Sequence, residues 1–137
     1  MRKHLIVAAI VSLLVAAAMT SSFAKDIDLQ GTWQFTLVVP ESSHQYSGTI
    51  VIDGSNMAQA TVKGPHGVVS EKGHVNISRQ NIDLIFTSVD DSGNHGVTYQ
   101  LDKFRCTSQS KDTLSCHDIT AGEQVHPFVV SRSSNIP

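Results

Sequence analysis

The residues able to do chemistry in this chain are two cysteines, a set of histidines and two adjacent acid-bearing pairs. Cys106 and Cys116 are the only thiols, so their pairing is not in question. The nine residues between them, TSQSKDTLS, are polar and turn-like. If two strands meet around Lys111, the cysteines fall opposite each other and a disulfide forms with little backbone movement. A closed loop of about ten residues would add roughly 2–3 kcal/mol. A redox pair or a metal site is the alternative. Catalytic thiols sit closer in sequence, as in C-x-x-C, so the structural bridge is the expectation.

Downstream of residue 24 stand six histidines: His44, His66, His74, His95, His117 and His126. A tight zinc site needs three or four ligands within about 2.0–2.3 Å of one ion. No H-x-H, H-x-x-x-H or C-x-x-C spacing occurs. His66 and His95, with Asp90 or Asp91, fall in loops that would meet at one end of a barrel, as would His44 or His126. These histidines are the candidates for a metal, but none is assigned as a ligand. Exposed imidazoles titrating near neutral pH are the plainer reading. For catalysis there is no G-x-S-x-G. His117 and Asp118 are adjacent, and neighbours on a strand point to opposite faces. No catalytic set and no cofactor motif is evident, and a non-enzyme is expected. Asn76-Ile77-Ser78 fits the N-glycosylation pattern, which matters only in a host that uses it.

The elements that must position these residues begin after an apparent leader. Arg2 and Lys3 precede an apolar run at residues 5–18, and Ser22-Phe23-Ala24 offers small residues at the places signal peptidase reads. We expect a bacterial Sec-type signal at residues 1–24, cleavage after Ala24, and a single domain at residues 25–137. The run is shorter than the roughly 20 residues of a membrane span. A periplasmic or secreted location follows, and it suits a disulfide. Cleavage removes two basic residues and leaves eight against twelve acidic, a net charge of −4. No basic cluster survives, which excludes nucleic acid and a polybasic membrane anchor as partners. At 40% hydrophobic and 16% charged, the chain is neither a disordered tail nor a collagen-like repeat.

The rest alternates with period two. Strands are expected at residues 31–39, 47–53, 58–63, 74–79, 82–89, 97–106, 114–120 and 127–132. Gly64 to Gly67 breaks the pattern, and residues 90–96 (DDSGNHG) read as a loop. Val97, Tyr99 and Leu101 are out of phase with Phe104 and Cys106, so a bulge is expected near Asp102-Lys103. No sustained helical period occurs. Eight strands joined by short loops suggest an all-β, antiparallel up-and-down barrel, since closure removes exposed edges. A two-sheet sandwich is the alternative.

At Leu29-Gln30-Gly31-Thr32-Trp33 the chain resembles the lipocalin and avidin (calycin) superfamily of small barrels, whose first strand opens with Gly-x-Trp. The resemblance implies that Trp33 plugs one barrel end and that Arg132, on the last strand, packs across it. A cation–π contact is the physical reason for such a pairing. Biotin-binding members wall their site with several tryptophans, whereas this chain has one.

Three functions remain in view. The first is a non-catalytic carrier of a small apolar molecule inside a lipocalin-like barrel. Its walls would come from Phe35, Leu37, Ile50, Ile52, Val62 and Val75. Leu84, Phe86, Tyr99, Leu101, Phe128 and Val130 would complete them. The second is a periplasmic inhibitor or protein-interaction module acting through barrel loops on an unidentified protein. The third is a histidine-based zinc protein. A barrel of eight strands is just wide enough for side chains or one small ligand, so a cavity separates the first reading from the second.

Overall fold

The computed structural model describes residues 27–120 and 127–134. The expected leader and His126 lie outside them. Eight antiparallel strands run in order: β1 (Gly31–Val39), β2 (His44–Ile52), β3 (Met57–Gly64), β4 (Gly67–Ser78), β5 (Asn81–Asp90), β6 (Lys103–Ser110), β7 (Thr113–Asp118) and β8 (Phe128–Arg132). Each pairs with the next, and β8 returns to β1, with Trp33 opposite Arg132 and Phe35 opposite Val130. The sheet is therefore a closed up-and-down barrel. Closure gives β1 and β8 the backbone partners that an open sheet would leave to solvent.

Period-two alternation sets the inside and the outside. On β1, Trp33, Phe35 and Leu37 are buried while Gln34, Thr36 and Val38 are exposed. On β3, Ala58, Ala60 and Val62 point inward, and on β8 so do Phe128 and Val130. The two sulfurs form the expected bridge: Cys106 and Cys116 are directly paired across β6 and β7, with Cα atoms 4.0 Å apart. Both side chains are buried in the core.

Three strands differ from the sequence reading. β2 starts three residues early, at His44. β4 starts at Gly67 rather than at residue 74. Its inward series is Val69, Glu71, Gly73 and Val75, so a carboxylate and a glycine interrupt the apolar signal. Gly73 marks a register shift between β4 and β5. A Cβ there would collide with the carbonyl oxygen of Ile85, so only glycine lets the strands approach this closely. The sixth strand starts at Lys103 rather than at residue 97, and no bulge lies at Asp102-Lys103; the second shift falls at Ser108/Ser110.

Residues 91–102 are a loop because side chains take the backbone donors and acceptors a strand partner would otherwise take. The Tyr99 N–H donates to Asp91 Oδ2 at 3.1 Å, and the Asp102 N–H donates to Glu71 Oε1 at 2.9 Å. Asn94 Nδ2 donates to the Val97 carbonyl at 2.9 Å. β5 consequently pairs with β6 only over Ile82–Ile85.

The two barrel ends are unlike. At one end Trp33 is fully buried, its Nε1 donates to the Leu29 carbonyl at 2.8 Å, and the Arg132 guanidinium lies 4.2 Å from its ring centroid. The turns at residues 40–43 and 65–66 and the 91–102 loop surround the other.

Candidate functional site

The end away from Trp33 holds a cavity of about 370 Å³. β1 supplies Phe35, Leu37 and Val39 to it, β2 supplies His44 and Tyr46, and β3 supplies Val62. The 91–102 loop adds Asn94, Tyr99 and Asp102, and β7 ends there with Asp118. Below it, Phe104 stacks edge-on with Phe128 (5.1 Å between centroids), Phe35 (5.9 Å) and Phe86 (6.2 Å). These rings pack together in the middle of the barrel, and Phe35 is the one of them that lines the cavity. Ile50, Ile52, Val75, Leu84 and Val130 pack in the core on strands that lead from these rings to the Trp33 end.

Of the residues expected to wall an interior site, Phe35, Leu37, Val62 and Tyr99 border the cavity. Phe86 and Phe128 belong to the aromatic cluster. Leu101 is half-buried against the core. Sequence reasoning missed Tyr46, Asp102, Asp118, Phe104 and Glu71. Glu71 had a readable signal, since it stands two residues from Val69 and four from Val75 on one inward face. Asp102 and Asp118 had none, because loop closure places them.

The polar wall is acidic. Tyr99 Oη donates to Asp102 Oδ2 at 2.7 Å. Burial, then the Asp102 charge, holds the Tyr99 phenol well above its ordinary range. Glu71 is fully buried behind Asp102. Desolvation, followed by the charge of Asp102, pushes its carboxyl up to about 9. It is therefore protonated at neutral pH. Its Oε1 accepts from the Asp102 N–H, and among the described residues its Oε2 is buried with no hydrogen-bond partner. Asp118 Oδ1 accepts from the Thr120 N–H at 2.7 Å.

His44 and His66 meet edge-on at the rim, with ring centroids 6.3 Å apart. His95 lies beside Gly67, outside the lining. Among the described residues, no three His, Cys, Asp or Glu side chains converge as a metal centre requires.

No protein-family model matches the chain, and no curated protein does. Among solved structures, it is similar to a de novo designed fluorescence-activating β-barrel, with a TM-score of 0.52. The alignment spans 76% of this chain and 93% of that barrel at 17% identity. At such low identity the likeness establishes architecture alone: this chain is an eight-stranded antiparallel closed β-barrel.

Proposed function

We propose that this chain is an exported, non-catalytic binding protein that holds a small ligand with an apolar body in a lipocalin-like barrel. The observation that carries the reading is the cavity of about 370 Å³ above the Phe104 cluster. Its volume falls within the ~300–1,000 Å³ of small-molecule sites. A barrel serving only as a scaffold for its loops would gain stability by filling that space. The designed barrel of similar architecture is described as fluorescence-activating, which is compatible with a ligand in such an interior.

Two further observations support the lipocalin-like and exported parts of the reading. Trp33 and Arg132 pair across one barrel end, as the Gly-x-Trp resemblance implies. The disulfide suits an oxidising compartment.

Native mass spectrometry of the chain purified from its own host tests this. A mass of a few hundred daltons, lost on denaturation, is expected, on a polypeptide that begins at Lys25. Val62→Trp, which pushes an indole into the cavity, should abolish that added mass. A bare chain in the unaltered protein, or a ligand retained by Val62→Trp, would count against the reading.

A further inference from the structure

One side of the cavity is walled by a loop rather than a strand. Asn94, Val97, Thr98, Tyr99, Gln100 and Asp102 line it, and all lie within residues 91–102. Such a wall encloses a ligand only while something holds it against the barrel. Bonds inside the loop fix its shape: the Asn94 N–H donates to the Asp91 carbonyl at 2.9 Å, the Val97 N–H to the Asn94 carbonyl at 3.0 Å, and the Tyr99 N–H to Asp91 Oδ2. Bonds to the barrel fix its position. Near the start of the loop the Val68 N–H donates to the Gly93 carbonyl at 3.2 Å. At its end the Asp102 carbonyl accepts from the Phe86 N–H at 3.2 Å, and the Asp102 N–H donates to Glu71 Oε1 at 2.9 Å.

The bond to Glu71 differs from the other two, which join backbone to backbone. It depends on one side chain, a carboxyl at an inward position of β4 between Val69 and Val75. Its cross-strand neighbours are Ala60 on β3 and Val89 on β5. An apolar side chain would pack there without the cost of desolvating an acid. The acid instead reaches a backbone donor 31 residues further along the chain. The residue it holds is also the one whose side chain accepts from Tyr99 Oη. Through Asp102, Glu71 therefore sets the place of two residues that line the cavity. Removing its acceptor would leave a part-buried N–H without that partner.

We infer that Glu71 is the positioning residue of the cavity: its hydrogen bond to the Asp102 N–H holds residues 91–102 in place as a wall, and loss of that bond opens the cavity to solvent. This deepens the carrier reading and rests on it, because an open wall lets a ligand leave. A protonated Glu71 makes the contact without setting a second full charge beside Asp102. The titratable groups that bear on it are Asp102, Asp118 and Tyr99, while Ala60 and Val89 beside it carry no charge. Burial and the charge of Asp102 push its ionisation up to about 9. Above that pH two carboxylates repel each other where the wall is held, so the wall should loosen.

Hydrogen exchange at pH 7 on the disulfide-intact chain tests the hold without a ligand. In Glu71→Leu the amides of residues 91–103 should exchange about tenfold faster than in the native chain, while those of β1 to β3 keep their rates. Glu71→Gln retains the accepting oxygen and should stay within about twofold. The cavity is followed with N-phenyl-1-naphthylamine, an uncharged fluorophore that brightens in apolar surroundings. Its dissociation should be about tenfold faster from Glu71→Leu and unchanged from Glu71→Gln. The inference is overturned if the loop of Glu71→Leu exchanges no faster, if Glu71→Gln behaves like Glu71→Leu, or if β1 to β3 loosen equally. A bound dye that leaves Glu71→Leu at the native rate also overturns it. Should Glu71→Leu not fold, the native chain decides: protection of residues 91–103 relative to β1–β3 should fall between pH 7 and pH 10, and a constant ratio overturns the inference. If the dye does not bind the native chain, the carrier reading loses its support while exchange still decides the role of Glu71.

Discussion

The Arg132 guanidinium sits over the Trp33 ring, 4.2 Å from its centroid, and also ties down the chain on both sides of it. Its nitrogens donate to the carbonyls of Gln30 (2.7 Å), Asp28 (2.6 Å) and Lys111 (3.0 Å) and to Asp112 Oδ1 (3.1 Å). One side chain thus joins the segment before β1, the β6–β7 turn and the end of β8. Arg132→Ala should cost about 2–3 kcal/mol by urea unfolding, from the lost cation–π contact and charged hydrogen bonds. Arg132→Lys should recover less than half, because an ammonium lacks the planar fork that reaches several carbonyls at once. Probe binding in the cavity should survive both, since it lies at the other barrel end.

Reducing the Cys106–Cys116 bridge should destabilise the barrel by about 2–3 kcal/mol, the entropy of closing its ten-residue separation in the unfolded chain. Urea midpoints with and without reductant measure this. A Cys106→Ala, Cys116→Ala double variant should match the reduced protein and show no response to reductant. A response would mean that the reductant acts elsewhere.

Glu71 predicts an unusual pH dependence. Its carboxyl titrates near 4.5 when unfolded and is pushed up to about 9 in the barrel by burial and by Asp102. Between those values the folded state holds a proton that the unfolded state has lost. The stabilisation is therefore complete below pH 4.5 and is lost as pH rises through about 9, by up to about 1.4 kcal/mol per unit. Melting temperature should fall across this window, and Glu71→Gln, which cannot ionise, should flatten the profile. A native protein whose melting temperature is level from pH 5 to 9 would remove Glu71 as the buried acid.

Phe104 touches Phe35, Phe86 and Phe128 and is 1% exposed. Phe104→Ala should cost about 3–5 kcal/mol, the range for aromatic truncation in a packed core. It should also deepen the cavity, because Phe104 packs behind Phe35, which lines it. Ligands with a longer apolar body should then gain affinity relative to shorter ones, which calorimetry on the same variant would show.

Much of the fold was legible because strand alternation is local covalent geometry. Trp33, Phe35 and Leu37 read inward by their spacing and are buried, and the polar stretch around Lys111 placed Cys106 opposite Cys116. The errors fell where a polar residue or glycine occupied an inward position. Glu71 and Gly73 hid the first half of β4. Val97, Tyr99 and Leu101 alternate like a strand, yet their backbone is held in a loop by acceptors on Asp91 and Glu71 and by the Asn94 amide, which donates to the Val97 carbonyl. That competition between side-chain and strand hydrogen bonds is not visible in a hydrophobic pattern.

The sequence by itself determined which residues face the core, because side-chain direction alternates with every peptide unit whatever the rest of the chain does. It also determined the only sulfur pair, while the pairing of Trp33 with Arg132 was implied by the Gly-x-Trp resemblance. Tertiary structure alone decided the cavity and its acidity. Glu71 and Asp102 are 31 residues apart, and they meet Asp118 only when β4, the 91–102 loop and the end of β7 are brought together by barrel closure. Whether an eight-stranded interior fills or stays open depends on how its side chains interleave across the lumen, a property of volumes in three dimensions that no one-dimensional period carries.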